Sequence, residues 1–126
     1  MNWLRWVVLA LALIEGGWLA FDGGRALVVG DYVTPKSGRH AGQLGPWANV
    51  VRWAGIDPRS TLMKSIHLAI GTVWVIVAVC FALRLPWAWS GMMACAVLGL
   101  WYLPFGTLLS AIQIGLLLLP ALRAPG

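Results

Sequence analysis

Apolar residues fall in four long segments, and one polar stretch separates the first segment from the second. The segments cover about 3–21, 58–84, 87–103 and 106–122. Each is close to the ~20 residues that an α-helix needs to cross the hydrocarbon core of a bilayer. Because backbone amides in lipid must be paired within their own segment, the pattern predicts membrane-spanning helices. The predicted fold is therefore all-α, an integral membrane four-helix bundle that forms a single domain over 1–126.

Turn residues mark where the later segments begin. Asp57 is a good N-cap and Pro58 suits the first position of a helix. The connections at 84–87 and 103–106 are short and each contains a proline. Short connections join antiparallel neighbours, so we expect the second, third and fourth helices to lie side by side.

The polar stretch at about 22–57 carries a helical pattern of its own. Pro46 is placed to begin a short helix and Gly55 to end it. We expect this helix to lie flat on the membrane surface. An irregular loop packed over the bundle stays open as the alternative. The apolar positions that recur at helical spacing are Leu44, Trp47, Val51 and Ala54.

Composition supports a membrane location. Of the 126 residues, 60% are hydrophobic and 10% are charged, whereas soluble domains carry about 25% charged residues. Nine tryptophans are present, a residue that favours the bilayer interface. The formal charge of +5 favours contact with anionic lipid head groups over nucleic acid.

The N-terminus partly imitates a cleavable signal peptide. Arg5 precedes an apolar run, and Ala10-Leu11-Ala12 resembles a cleavage site. The run before Ala10 is shorter than the ~7–15 residues of a secretory core. Because the apolar stretch continues to Phe21, we expect an uncleaved first helix.

Glu15 is the main candidate for chemistry, since it lies inside the first apolar segment. A charge in hydrocarbon costs at least ~2.5 kcal/mol, so we expect its side chain to face the bundle interior. A rise of 1.5 Å per residue places Thr72, Cys95 and Gln113 at a similar depth, with His67 nearer the surface. These five are the candidate ligand or proton site. A hydrogen-bond clamp that only joins helices stays open as the alternative.

Other candidate chemistry is sparse. Imidazole binds metals well, but the only other histidine is His40 in the loop, so we expect His67 to be an interfacial histidine. Gly91, Cys95 and Gly99 are spaced by four and predict close helix packing. We predict no metal site, no catalytic residue and no firmly indicated cofactor, with quinone or lipid as the ligands to consider. An enzyme is not the expected outcome.

The layout resembles the DoxX-like families of small bacterial membrane proteins. Arg5 opening the first helix, Gly16-Gly17 within it and the closing LWYLPFGTLLSAIQIGLLLL carry the resemblance. Asp22-Gly23-Gly24-Arg25 stands where that family usually has a Gly-x-x-Lys pattern. The resemblance implies a bacterial inner-membrane protein that serves as a non-catalytic accessory or lipid- or quinone-binding subunit of a larger complex.

A second resemblance is to the small multidrug resistance transporters. They also have four helices and carry a proton-exchanging glutamate in the first, which Glu15 would match. They lack a 40-residue loop after the first helix. This resemblance implies a proton-coupled small-molecule transporter. The expected partners are the lipid bilayer and either other membrane subunits or a second copy of the chain.

The charge pattern gives a preference for orientation without fixing it. Counting Lys and Arg places the long loop in the cytoplasm. A folded loop of this size can also be translocated regardless of charge, so both orientations stay open.

Overall fold

All regular secondary structure in the described part of the chain is helical. The computed structural model describes residues 2–32, 44, 46–102 and 105–123, except for the side chains of residues 2, 121 and 123. The helices are α1 (Asn2–Val29), α2 (Trp47–Trp53), α3 (Thr61–Ala82), α4 (Ala88–Leu98), α5 (Phe105–Leu117) and α6 (Pro120–Arg123).

The first helix is longer than the apolar segment that predicts it. It runs to Val29, so residues 22–29, which the sequence assigns to the loop, are helical. Packing explains the extension, because Asp22 and Ala26 are buried and continue the inward face of the helix. The helix ends at Gly30, whose φ of +110° suits glycine.

The helix ends differ from the predicted ones at three further places. α3 begins at Thr61 rather than Pro58, because Ser60 is its N-cap and accepts a hydrogen bond from the Met63 backbone N–H at 3.1 Å. α4 stops at Leu98, and its C-cap is Gly99. The last segment divides into α5 and the single turn of α6.

A short helix lies inside the predicted loop. α2 begins directly after Pro46 and is followed by Gly55 with a φ of +89°. Trp47 and Val51 are buried and Arg52 is exposed, so the helix is one-sided. Residues 33–43 and 45 of the loop, His40 among them, lie outside the described residues.

Four helices enclose a shared interior. α1 packs against α3 and α5, and α4 packs against the same two helices. The buried positions of α1 recur at intervals of three and four residues, as one face of a helix does. They include Val8, Ala12, Glu15, Leu19, Asp22 and Ala26, and Leu9, Gly16 and Gly23 are buried beside them.

Glycine sets the close approach of α1 and α3. A Cβ atom added to Gly71 would lie 2.2 Å from the backbone N of Ala20 and 2.5 Å from the carbonyl O of Gly16. No side chain fits at that separation. The two longest helices therefore touch backbone to backbone.

In the part of the chain that the structure describes, two helices are long and apolar enough to cross a membrane. They are Trp3–Val29 and Thr61–Ala82. α4 and α5 are also apolar but are shorter, at 11 and 13 residues.

Candidate functional site

Glu15 lies in the interior, where its carboxyl group accepts hydrogen bonds from side chains of α5. Its side chain is fully buried. Oε1 accepts hydrogen bonds from Ser110 Oγ at 3.1 Å and from Gln113 Nε2 at 3.0 Å. Oε2 lies 2.9 Å from the same Ser110 hydroxyl. Both carboxyl oxygens are thus used to join α1 to α5.

Two glycines make room for this carboxyl group. A Cβ atom added to Gly99 would lie 2.6 Å from Glu15 Oε2, and one added to Gly106 would lie 2.8 Å from it. The same Cβ on Gly99 would be 2.5 Å from Ser110 Oγ and 2.7 Å from the ring of Trp74. Gly99 is therefore the point where side chains from α1, α3 and α5 meet the end of α4.

Two polar atoms near this point have no partner. Trp74 Nε1 and Gln113 Oε1 are buried without a hydrogen bond among the residues that the structure describes. Gln113 Nε2 donates hydrogen bonds to Glu15 Oε1 and, at 3.2 Å, to the Leu109 carbonyl oxygen. The site thus retains one unused donor and one unused acceptor.

A second buried cluster surrounds His67, in the half of the molecule nearer α2. Its ring centroid lies 4.6 Å from that of Trp47 and 4.8 Å from that of Tyr32. Trp101 and Tyr102 complete the cluster at 5.4 Å and 5.6 Å from the His67 ring. The histidine is therefore enclosed by aromatic rings.

Hydrogen bonding fixes the tautomer of His67. Nδ1 lies 3.1 Å from the Met63 carbonyl oxygen; a carbonyl only accepts, so Nδ1 carries the proton. In the neutral ring Nε2 is then an acceptor, and it is buried without a partner, as is the Tyr32 hydroxyl. Burial raises the pKa of Tyr32 above its ordinary range, so this residue is a neutral phenol.

Tyr102 connects the two clusters. Its hydroxyl accepts a hydrogen bond from Trp18 Nε1 at 2.8 Å, and Trp18 lies one turn beyond Glu15 on α1. A Cβ atom added to Gly106 would lie 2.6 Å from the Tyr102 Cβ and 2.8 Å from Glu15 Oε2. Tyr102 therefore lies between the aromatic cluster and the Glu15 site.

The structure brings together only part of the predicted set. Glu15 and Gln113 are in direct contact, and Cys95 is buried one turn before Gly99 on α4. Thr72 is not part of the site: it lies on the exposed face of α3, and Gly71 and Trp74 face inward instead. The rise per residue predicts how deep Thr72 lies along α3, but it does not predict the direction in which the side chain points around the helix axis.

The remaining predicted residues lie close to the site without bonding to Glu15. His67 belongs to the aromatic cluster instead. Gly91 faces α3, where an added Cβ atom would lie 2.9 Å from Val77 Cγ1. Cys80 and Cys95 are both free thiols.

Several site residues were missed by sequence reasoning. Ser110 had a signal, because Gly106, Ser110 and Gln113 are spaced by four and three and so share one face of α5. Asp22 had one too, since it follows Glu15 by seven residues, or two helical turns. Trp18, Trp74 and Tyr102 gave no signal apart from being aromatic. Within the described residues, no group of three or more His, Cys, Asp or Glu is placed to hold a metal ion.

Comparison with known proteins gives no relative. No family model, no curated protein and no solved structure matches this chain.

Proposed function

We propose that the chain is a small integral membrane protein of DoxX-like layout, in the bacterial inner membrane, that serves as a non-catalytic accessory or lipid- or quinone-binding subunit of a larger membrane complex. In this proposal α1, α3, α4 and α5 each cross the bilayer. Its sequence support is the resemblance at Arg5, Gly16-Gly17 and the closing apolar segment. The structural support for a membrane location is the distribution of polar and apolar side chains.

The distribution of polar groups is inverted relative to a soluble protein. Glu15, Ser110 and Gln113 are completely buried. By contrast, only 28% of the most apolar stretch of α1 and 33% of that of α3 is buried. The outward residues include Ile14, Val73 and Ile76, which are 53%, 53% and 56% exposed. A surface of this kind is stable against lipid tails, whereas in water it would be an aggregation hazard.

The lengths of α4 and α5 place a condition on this proposal. At 1.5 Å per residue, 11 and 13 residues rise only about 16–20 Å, less than the ~30 Å hydrocarbon core. The flanking turns, and α6 after α5, must complete each crossing. A locally thinner bilayer would reduce the distance to be spanned.

The geometry at Glu15 favours an accessory role for the protein. Both carboxyl oxygens are bound by α5, and no lysine or arginine among the described residues pairs with them. Interhelical hydrogen bonds of this kind hold membrane helices together. In the proposal Glu15 is therefore the clamp between α1 and α5, and binding of lipid or a partner takes place on the outer surface.

Extraction in a mild non-ionic detergent tests this proposal. A subunit is expected to co-purify with larger membrane proteins, and mass spectrometry of the extract should find retained phospholipid or quinone. Glu15→Gln should leave that association intact, because the amide still accepts one hydrogen bond. A chain that always elutes alone and free of lipid and quinone would refute the proposal.

The alternative is a proton-coupled transporter of small cations that uses Glu15. The observation in its favour is the unused buried acceptor Gln113 Oε1 beside the carboxyl group. Such a transporter should dimerise and release protons when a cation such as tetraphenylphosphonium is added to the detergent-solubilised protein. Glu15→Gln should abolish that release. Proton release from the wild type, absent in the variant, would decide for the transporter.

A further inference from the structure

A cavity with two arginines opens where α1 begins and α3 ends. Its volume is about 50 Å³, and it is lined by Arg5, Trp6, Leu9, Phe81, Ala82 and Arg84. This end of the molecule is opposite to the end that carries α2, since α3 lies between them. None of its lining residues contributes to the Glu15 site or to the aromatic cluster.

Arg5 is fixed in place inside this cavity. Its Nη2 donates a hydrogen bond to the Phe81 carbonyl oxygen. The guanidinium carbon lies 4.1 Å from the centroid of the Phe81 ring, a distance at which a cation and an aromatic face attract each other. The guanidinium is thus held at one N–H group and over one ring face, and its other N–H groups have no hydrogen-bond acceptor among the described residues.

Arg84 supplies the second charge from a constrained backbone. Its φ is +63°, in the left-handed region that few residues other than glycine adopt readily. The residue lies two positions after the end of α3 and is exposed, and it lines the same cavity as Arg5. The turn after α3 therefore brings a second arginine to this cavity.

Within the described residues, no counter-charge accompanies the two cations. The cavity lining contains no acidic residue, and neither arginine forms an ion pair within the described part of the chain. Two like charges in one cavity repel each other, and a bound anion would relieve this. Guanidinium groups match phosphate oxygens especially well, because two N–H groups can bond in parallel.

We propose that the cavity between Arg5 and Arg84 binds the phosphate group of an anionic phospholipid. This assignment rests on the proposed membrane crossing of α1 and α3, which brings their ends to the level of the head groups. The neighbouring side chains suit that level: Trp6 is 63% exposed and Leu83 is 68% exposed, offering an aromatic anchor and an apolar surface for an acyl chain. Free phosphate offers the same oxygens but makes no use of this apolar surface.

Lipid binding to the full chain in a neutral detergent tests the proposal. Phosphatidylglycerol, phosphatidylcholine and inorganic phosphate are each titrated, and bound lipid is counted by native mass spectrometry alongside the shift in thermal unfolding temperature. Phosphatidylglycerol should bind at least fivefold more tightly than phosphatidylcholine, whose choline cation the arginines repel. Inorganic phosphate should give no shift at the same concentration.

Arg84→Gly is the informative variant. Glycine adopts the left-handed φ without strain, so the turn is retained while one cation is removed. We expect about fivefold weaker binding of phosphatidylglycerol, the effect of one cation near an anionic lipid surface. The matched control is Arg52→Ala, which removes the same charge from the exposed side of α2, where the Arg52 side chain donates a hydrogen bond to Asn49 Oδ1 at 3.1 Å.

Each result decides the question. Selective loss in Arg84→Gly with an unchanged Arg52→Ala supports the site. Equal loss in both variants would indicate unspecific charge attraction, and an equal response to inorganic phosphate would indicate a soluble-anion site; either overturns the proposal. If labelling shows that α1 and α3 do cross the bilayer while Arg84→Gly binds lipid like the wild type, the lipid site alone is refuted and the membrane assignment stands.

Discussion

At the scale of single residues, Glu15 decides how the interior is held together. Its carboxyl group accepts hydrogen bonds from two side chains of α5, and within the described residues no other side-chain hydrogen bond joins α1 to α5. Gly99 and Gly106 leave the space that it occupies. The site thus depends on the absence of a side chain at Gly99 and Gly106 as much as on the carboxyl group of Glu15.

Glu15→Ala should destabilise the protein by about 2–4 kcal/mol. The Ser110 hydroxyl and the Gln113 amide would both lose their acceptor, and each buried unsatisfied group costs about 1–3 kcal/mol. Glu15→Gln should cost less than half as much, because the unused Gln113 Oε1 can accept from the new amide. The free energy of unfolding, measured by denaturant titration in mixed micelles, checks both. Equal stability of the wild type and Glu15→Ala would contradict the clamp.

Gly99→Ala should also destabilise the protein, by about 1–3 kcal/mol, as overpacking of a filled interior does. The added methyl group would lie 2.5 Å from Ser110 Oγ and 2.6 Å from Glu15 Oε2. The control is Gly115→Ala on α5, where nothing lies within 4 Å, and it should be neutral to within ~1 kcal/mol. The same micelle titration applies. Should the two alanine variants behave alike, the carboxyl group does not occupy the position described.

At the scale of helices, the contact between α1 and α3 organises the molecule. Gly16, Gly23 and Gly71 let the two backbones touch, and this contact continues past the apolar segment to the polar ends of both helices. There Lys64 Nζ donates to the Gly30 carbonyl oxygen at 2.8 Å. Asp31 and Arg59 form an ion pair at 3.0 Å.

The ion pair gives this end of the helix pair a dependence on pH. Partial burial acts to raise the pKa of Asp31, but the hydrogen bonds from Arg59 and the Tyr32 backbone N–H outweigh it, so its pKa lies below the ordinary value. A carboxyl group whose folded-state pKa is lowered stabilises the fold above its unfolded pKa, and the contribution disappears as the pH falls through the folded-state pKa.

Arg59→Gln should therefore lower the stability near pH 7 and not at acid pH. The loss should be no more than about 1 kcal/mol, since both partners are largely exposed. The difference between wild type and variant should begin to shrink below about pH 4, where an ordinary aspartate becomes protonated, and should disappear as the pH falls through the lower folded-state pKa of Asp31. Unfolding titrations between pH 3 and pH 8 check this, with Arg52→Gln as a control that loses the same charge. A difference that persists unchanged at pH 3 would exclude the ion pair as its source.

At the scale of the whole molecule, Glu15, Ser110 and Gln113 are enclosed together with the apolar core, while many apolar side chains are exposed. Only 28% of the most apolar stretch of α1 and 33% of that of α3 is buried. The proposed location in a bilayer would stabilise such a distribution. The number of crossings then determines which loops share a side.

Four crossings predict an alternating pattern of labelling. In a background of Cys80→Ala and Cys95→Ala, single cysteines at exposed sites are tested with a membrane-impermeant maleimide on sealed vesicles of each orientation. Sites at the end of α2 and at the start of α5 should react from one face, and sites after α3 and after α5 from the other. If the start of α5 reacts from the same face as the residue after α3, then α4 does not cross. The single substitutions are Trp53→Cys, Leu85→Cys, Phe105→Cys and Leu119→Cys.

The sequence by itself determined that the chain is helical, where most helices lie and that an acid would be enclosed. Those features follow from local hydrophobicity, from Pro46 and Gly55 around α2, and from the cost of exposing a carboxyl group to apolar surroundings. Only the tertiary structure decided which groups the acid meets. Ser110 faces it and Thr72 does not, because a partner must match in rotation about its helix as well as in depth, and packing sets that rotation. The extension of α1 to Val29 was likewise decided by contact with α3, which stabilises a polar, glycine-containing turn that local propensity alone would leave as loop.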